Sequence, residues 1–152
     1  MVKAIAVGNF TMFPTDKLNG VTLNYPWGIA DIENYTGKKF NKKEYDKIAQ
    51  FCYVGDQDQN DQPYNVDFGI SEEETKAVND LFGYDYGLPK WERKWKFVKQ
   101  LGYDKSIQFN VYKGVGHNMA DNILKDVLAF FKANNGDKIV KIKAHSNAYG
   151  DD

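Results

Sequence analysis

The sequence predicts an α/β fold in which a short, mostly parallel sheet of about three strands is flanked by helices. Three apolar runs rich in β-branched or aromatic residues have the length of strands: Val2 to Val7, Phe51 to Val54 and Ile107 to Tyr112. Helical patterns stand between these runs, and this alternation requires the crossover connections that join parallel strands. The 152 residues, 42% of them apolar, suit a single domain, 1–152.

The first part of the chain combines a strand with a long irregular stretch. The strand from Val2 to Val7 is followed by a Gly-Asn break. Residues 10–39 contain Pro14 and Pro26 and keep no helical or strand period. Long irregular segments within a compact domain often serve function, so we expect a lid-like excursion at this position.

Two capping boxes predict where helices begin. Asn41 and Glu44 form the first box and open a short helix ahead of the second strand. Ser71 and Glu74 form the second, and this helix is expected to end before Gly83.

Two further helices are predicted from apolar residues at helical spacing. One begins at Pro89, because proline favours the first turn of a helix. The other begins near Asn118 and ends before Gly136. The apolar stripe of the first comprises Trp91, Trp95, Val98 and Leu101, and that of the second comprises Met119, Ile123, Leu124, Val127, Leu128 and Phe131.

The end of the chain is predicted to be a polar tail, residues 137–152. Within it, the stretch from Lys138 to Lys143 suits a short extra strand. His145 is interpreted as a solvated residue of a frayed terminus.

Composition and charge exclude several classes of function. With 20 basic and 21 acidic residues, and Arg93 as the sole arginine, the chain lacks the positive patch that nucleic acid requires. No apolar run approaches the length of a membrane span, and the first residues do not resemble a signal peptide. We therefore expect a soluble protein. Its compartment stays open, with the cytoplasm slightly favoured.

The single cysteine, Cys52, lies in an apolar run and is interpreted as a buried structural thiol. It excludes a disulfide within the chain and a cysteine-based zinc site. The acidic loop carrying Asp56, Asp58 and Asp61 could offer oxygen ligands to a hard cation, but it lacks the glycine and terminal glutamate of a calcium loop. We therefore predict no metal and no cofactor.

The loops that follow the second and third strands are the predicted site, because ligands bind beyond the carboxyl ends of strands in such sheets. The first loop offers Asp56, Asp58 and Asp61, and the second offers His117. A carboxylate and an imidazole on neighbouring strand ends are the acid and base pair of a Ser-His-Asp site. Asp58 is the preferred acid because it lies three residues beyond Gly55, where the chain has turned over the sheet edge; Asp61 is second.

These features together resemble the C-terminal part of an α/β-hydrolase. The resemblance rests on Gly55-x-x-Asp58 after a buried strand, the Gly-x-Gly-His turn from Gly114 to His117, and the amphipathic helix that follows. It implies a partial α/β-hydrolase fold with Asp58 as the triad acid and His117 as the triad histidine. The implied activity is that of a serine hydrolase acting on ester or other acyl bonds.

The chain departs from this family in two ways. Asp58 and His117 are 59 positions apart, which an insertion over residues 62–88 accounts for. Gly-x-Ser-x-Gly is absent, and none of the serines lies in a strand-to-helix elbow: Ser71, Ser106 and Ser146. We therefore expect a C-terminal half that is inactive alone, whose nucleophile and oxyanion hole lie in a missing N-terminal half.

The expected partners follow from this interpretation. They are that N-terminal half, or a second copy of the chain paired along the Val2 to Val7 edge, and a small acyl substrate in the complete enzyme.

A non-catalytic module that binds a carbohydrate or a protein is the alternative. It would use exposed aromatic side chains as a stacking platform. Because Trp91 and Trp95 share a helical stripe, they are more consistent with a core. The candidates are Tyr25, Trp27, Tyr84, Tyr86, Trp91 and Trp95.

Overall fold

The computed structural model describes residues 2–8, 13–59, 70–85 and 87–146. These residues form two compact units, one made of 2–8, 42–59 and 87–146 and the other of 13–41 and 70–85. The strands are β1 (Ala4–Gly8), β2 (Lys17–Leu18), β3 (Val21–Thr22), β4 (Ala49–Gly55) and β5 (Ile107–Tyr112). The helices are α1 (Ile32–Thr36), α2 (Lys42–Tyr45), α3 (Glu72–Phe82), α4 (Leu88–Gln100) and α5 (Asp121–Ala133).

The first unit contains a three-stranded parallel sheet in the order β1-β4-β5. Cys52 in the central strand is in register with Val7 on one side and Phe109 on the other. The α/β fold class, with a short parallel sheet flanked by helices, is therefore confirmed. The bounds of β5 agree with the prediction, whereas β1 begins two residues later than expected, at Ala4.

Helices pack on both faces of this sheet because alternate strand residues point to opposite faces. On one face, Phe51 of β4 packs against Phe130 of α5, with ring centroids 5.3 Å apart. On the other face, Val54 and Val111 pack against Trp91 of α4. The central strand is buried almost throughout, as expected of a strand covered on both sides.

The predicted apolar face of α5 is wrong in part. Ile123 and Val127 are buried as expected, but the other four residues of that face are exposed: Met119, Leu124, Leu128 and Phe131. The buried stripe continues instead through Asp126 and Phe130. Leu124, Leu128 and Phe131, spaced i, i+4 and i+7, share a side of the helix that is not covered. The carboxylate of Asp126 is tolerated in the core because it accepts a hydrogen bond from the Tyr112 hydroxyl.

The predicted stripe of α4 is partly correct. Trp91 and Val98 are buried, whereas Trp95 and Leu101 are only partly buried. Trp95 stacks on Phe109 of β5, with ring centroids 5.5 Å apart. The burial of Lys94 was not predicted from the sequence; its Nζ lies 4.3 Å from the centroid of the Trp91 ring.

The stretch from Lys138 to Lys143 is not a strand, contrary to the prediction. Side-chain amides take the place of a neighbouring strand. Gln108 donates to the Ile142 carbonyl at 2.7 Å and accepts from its N–H at 3.0 Å. Asn134 bonds both backbone groups of Val140 in the same manner, each at 2.8 Å. The backbone is therefore held without the ladder that defines a strand.

The second unit contains the capping box at the start of α3, as predicted. The Glu74 N–H donates to the Ser71 hydroxyl, and the Glu74 carboxylate accepts from the Ser71 N–H. The same carboxylate accepts the Asn24 N–H at 2.6 Å, which ties the β2–β3 region to this helix. Residues 13–39 are part of the predicted irregular excursion, and they contain α1 and the short antiparallel pair of β2 and β3. Residues 10–12 lie outside the described part.

The helix predicted from Asn41 and Glu44 is confirmed as a single turn, α2. Among the residues described, no helix combines the length and the apolar character that crossing a bilayer requires.

Candidate active site

The candidate site lies at the carboxyl ends of β4 and β5, which meet at one edge of the parallel sheet. The loop after β4 is described as far as residue 59, and the loop after β5 runs from residue 113 to α5. Both predicted loops therefore lie where ligands bind in sheets of this kind.

Hydrogen bonds from backbone N–H groups join the loop after β4 to the end of β5 and to the loop that follows it. The Asp56 N–H donates to the Tyr112 carbonyl at 3.0 Å, and the Gln57 N–H donates to the Val115 carbonyl at 2.9 Å. In the other direction, the Gly114 N–H donates to Oδ1 of Asp56 at 2.7 Å. Each loop therefore determines the conformation of the other.

Gly55 permits the loop after β5 to cross closely over the end of β4. A β-carbon at this position would stand 2.0 Å from the Val115 carbonyl oxygen and 2.8 Å from that of Gly116. No side chain fits against backbone atoms at such distances, so the crossing requires glycine.

Asp58 and His117 face each other in this arrangement. Nδ1 of His117 lies 3.0 Å from Oδ2 of Asp58, within the range of a hydrogen bond. The Asp58 side chain is 5% exposed, whereas that of His117 is 53% exposed. The expected contact between these two residues is therefore present.

The other two candidate acids have different positions. Asp56 bonds the backbone of Gly114. Asp61 lies outside the described residues. The turn in which the Asp58 N–H donates to the Gly55 carbonyl, at 3.1 Å, brings Asp58 back over the sheet edge. The geometry therefore favours Asp58 over Asp56 as the partner of the histidine.

The orientation of the imidazole determines what this pair can do. A buried carboxylate beside Nδ1 favours the tautomer with the proton on Nδ1. Nε2 is then the basic nitrogen, and a proton taken up there produces an imidazolium that the carboxylate stabilises. An aspartate and a histidine so arranged can act as a general base and, after protonation, as a general acid.

A cavity of about 370 Å³ opens beside the pair. Its lining includes Asp58 and His117 together with Tyr53, Asn118 and Met119. The volume lies within the range of small-molecule sites.

Among the described residues that line this cavity, none is a serine, threonine or cysteine. The hydroxyl of Ser71 caps α3, and that of Ser106 is buried and donates to the Tyr103 carbonyl. Burial raises the pKa of the Cys52 thiol to about 12, so this residue is the inert structural thiol that the sequence predicts.

Comparison with known proteins adds one finding. A segment of this chain is similar to an acyl-protein thioesterase. The match is to acyl-protein thioesterase 1 of Candida albicans (strain SC5314 / ATCC MYA-2876), with 39% identity over 56 residues, or 37% of this chain. The matched segment spans 22% of the length of that relative. No family model and no solved structure matches the chain.

The structure contains a second aspartate and histidine pair, Asp126 and His145, which was not predicted from the sequence. Asp126, 1% exposed, accepts the Tyr112 hydroxyl at 2.6 Å and the His145 N–H at 2.7 Å, and its carboxylate also contacts the His145 ring. His145 is solvent-exposed as predicted, but it is bonded to the core rather than frayed. Asp126 lies among the buried apolar positions of α5, and a polar residue at such a position was the signal that could have revealed this cluster.

The aromatic residues of the alternative function differ in their exposure. Trp27 and Trp91 are 5% and 2% exposed. Tyr25 and Tyr84 are exposed, and Tyr86 lies outside the described residues.

In the ranges described, no group of three or more His, Cys, Asp or Glu residues is arranged to hold a metal ion.

Proposed function

We propose that this chain is the acid- and histidine-bearing portion of a serine hydrolase that cleaves ester, thioester or other acyl bonds. The observation that carries the proposal is the contact between the buried Asp58 carboxylate and Nδ1 of His117, at the carboxyl ends of adjacent parallel strands. The cavity beside this pair is where an acyl group would lie. The similarity of part of the chain to an acyl-protein thioesterase supports the same reaction class.

In the proposed mechanism, a serine hydroxyl attacks the acyl carbonyl and its proton passes to Nε2 of His117. Asp58 orients the ring and stabilises the resulting imidazolium. The proton then passes to the leaving alcohol or thiol, and water, activated by the same nitrogen, hydrolyses the acyl-enzyme and restores the serine.

The proposal assigns the nucleophile and the oxyanion hole to an N-terminal half of the enzyme. In this organisation, residues 1–152 are the C-terminal half, with 10–39 as a lid-like excursion, 62–88 as an insertion and 137–152 as a tail. The outer edge of β1 would pair with a strand of the N-terminal half. The isolated chain is then expected to be inactive, since loss of the nucleophile removes about a million-fold of rate enhancement in a comparable triad.

The test compares this chain alone with the product of the reading frame extended upstream of Met1, using p-nitrophenyl octanoate. We expect no hydrolysis by the chain alone and hydrolysis by the extended protein. In the extended protein, His117→Ala should lower kcat by at least about 1,000-fold, and Asp58→Asn should lower it by a comparable factor. A fluorophosphonate probe should label a serine in the extended protein.

The matched control is His145→Ala, because His145 also contacts an aspartate but does not line the cavity. It should leave kcat within about twofold, as expected of a residue outside the reacting centre. The proposal is overturned if an extended, active protein keeps its kcat when His117 is replaced.

One observation favours the alternative of a binding module. Tyr25 and Tyr35 are 51% and 67% exposed, and their rings lie 5.5 Å apart. Adjacent exposed rings suit stacking against a sugar or a partner protein. A glycan array in which wild-type chain binds and Tyr35→Ala does not would support the module; absence of binding would count against it.

A further inference from the structure

We propose that Asp56 is a positioning residue for His117, acting through the backbone of the turn that carries the histidine. Its kinetic consequence rests on the proposed function, but the structural consequence does not. Asp58 would hold the imidazole itself, whereas Asp56 would hold the segment from which the imidazole projects.

The geometry is a two-point attachment around Lys113. Oδ1 of Asp56 accepts the Gly114 N–H at 2.7 Å, and the Asp56 N–H donates to the Tyr112 carbonyl at 3.0 Å. One residue of the loop after β4 therefore binds the chain on both sides of Lys113, where β5 ends and the turn begins. Hydrogen bonds that a carboxylate accepts from a backbone N–H are among the stronger ones in proteins.

The turn needs such an attachment because of its composition. Gly114 and Gly116 stand within three residues of His117, and glycine loses more conformational freedom on ordering than any other residue. Gly114 adopts a φ of +72°, which other residues rarely adopt. The side chain of His117 is half exposed, so burial alone does not hold it in place.

Asp56 does not line the cavity, which separates its role from that of Asp58. The two carboxylates are two positions apart in one loop and take different partners, Asp56 a backbone N–H and Asp58 a ring nitrogen. Removing Asp56 should therefore disorder His117 without removing any group that touches the substrate.

The first arm of the test is NMR spectroscopy of this chain, which needs no activity. Asp56→Ala should increase amide exchange at Gly114 at least tenfold and broaden or shift the His117 ring signals. Asp56→Asn keeps an acceptor oxygen at the same place and should stay within threefold of wild type. Asp104→Ala is the matched control, a partly exposed aspartate at the opposite end of β5, and should change neither signal.

The second arm uses the extended, active hydrolase. Asp56→Ala should lower kcat between tenfold and a hundredfold with KM within twofold, and Asp56→Asn should recover most of the loss. If Asp56→Ala does not fold, the scalar coupling across the Gly114 N–H to Asp56 carboxylate hydrogen bond, measured in wild type, replaces it; its absence overturns the proposal.

The two proposals fail in distinguishable ways. If no extended form hydrolyses acyl esters but Asp56→Ala still disorders His117, the positioning role stands and the hydrolase assignment fails. If Asp56→Ala folds and leaves both Gly114 exchange and kcat unchanged, the positioning role is overturned. An Asp56→Asn variant as impaired as Asp56→Ala also overturns it, because the accepting oxygen would not be the operative feature.

Discussion

Gly55 lies beneath Val115 at a distance that leaves no space for a side chain: a β-carbon at position 55 would stand 2.0 Å from the Val115 carbonyl oxygen. We predict that Gly55→Ala lowers the free energy of unfolding by about 3 kcal/mol, at the upper end of the usual cost of overpacking, because the obstacle is backbone. The new β-carbon should push the Val115 backbone away and so break the hydrogen bond between the Gln57 N–H and the Val115 carbonyl. Denaturant unfolding and the His117 ring signals measure the two effects.

Gly116→Ala is the matched control for this substitution. A β-carbon at Gly116 meets nothing within 4 Å, and Gly116 does not adopt a positive φ. Its free energy of unfolding should therefore stay within about 0.5 kcal/mol of wild type. Equal costs at positions 55 and 116 would contradict the argument from close approach.

The two tryptophans of α4 should differ in their contribution to stability. Trp91 is 2% exposed, and Trp91→Ala should cost about 3–5 kcal/mol because it leaves a cavity in the core. Trp95 is partly exposed and stacks on Phe109, so Trp95→Ala should cost about 1–2 kcal/mol and Trp95→Phe less. Chemical denaturation measures both. A larger loss at position 95 than at position 91 would contradict this ranking.

Local features made much of the fold predictable. The bounds of β5 and the capping box of α3 depend on a few neighbouring residues, and the sequence alone was enough to place them. The exposed side of α5 was not predictable, because it depends on which side of the helix the rest of the fold covers. The same holds for residues 138–143, where the side chains of Gln108 and Asn134 take the place of a strand.

The contact between Asp58 and His117 was predictable from topology, since parallel neighbouring strands end at the same edge of a sheet. The attachment of Gly114 to Asp56 was not, because it depends on the path of two loops after the strands end. The role of Asp126 was missed because a single polar residue in a helical stripe is usually interpreted as an exposed one.

Cys52 should be unreactive in the folded protein and should make it sensitive to alkali. Burial raises the pKa of the thiol from 9.0 to about 12, so the thiol stays protonated in the folded chain at pH values where it ionises in the unfolded one. The contribution of the buried, protonated thiol to the free energy of unfolding is thus fully present below pH 9. It is lost as the pH rises towards 12, at about 1.4 kcal/mol per pH unit.

Two measurements check this. A chromogenic disulfide reagent at pH 8 should react with Cys52 only after denaturant is added. The free energy of unfolding, followed from pH 8 to 11, should fall less steeply in Cys52→Ala than in wild type. Rapid labelling of the native protein would show that the thiol is not buried.

The outer edge of β1 should mediate association of the isolated chain. In the described sheet, β1 pairs only with β4, and its residues from Ala4 to Val7 are partly exposed. An unpaired apolar edge is a template for strand addition. Light scattering should give a mass above 17.4 kDa at high concentration for wild type and close to 17.4 kDa for Ile5→Lys, which places a charge on that edge. A wild-type monomer at every concentration would show that the edge is inert.

The Tyr112 hydroxyl should stabilise the fold through the buried carboxylate of Asp126, to which it donates at 2.6 Å. Tyr112→Phe removes one donor from an oxygen that water does not reach, and we expect a loss of about 1.5–3 kcal/mol in the free energy of unfolding. Tyr53→Phe, on the neighbouring strand and partly exposed, is the control and should cost about 0.5 kcal/mol or less. In a double-mutant cycle with Asp126→Asn, the two substitutions should be coupled by at least about 1 kcal/mol.

The same contact predicts a pH dependence of defined sign. Burial, and then the bond to Asp126, raise the pKa of Tyr112 above its ordinary value of 10.0, because both disfavour the phenolate. The contribution of the protonated Tyr112 to the free energy of unfolding is therefore complete below pH 10. It declines above pH 10, because the tyrosine ionises in the unfolded chain at a lower pH than in the folded chain. Tyr112→Phe lacks this ionisation, so the difference in unfolding free energy between wild type and variant should narrow between pH 9.5 and 11. A difference that stays constant over that range, or widens, would mean that Tyr112 ionises as readily in the folded chain as in the unfolded one.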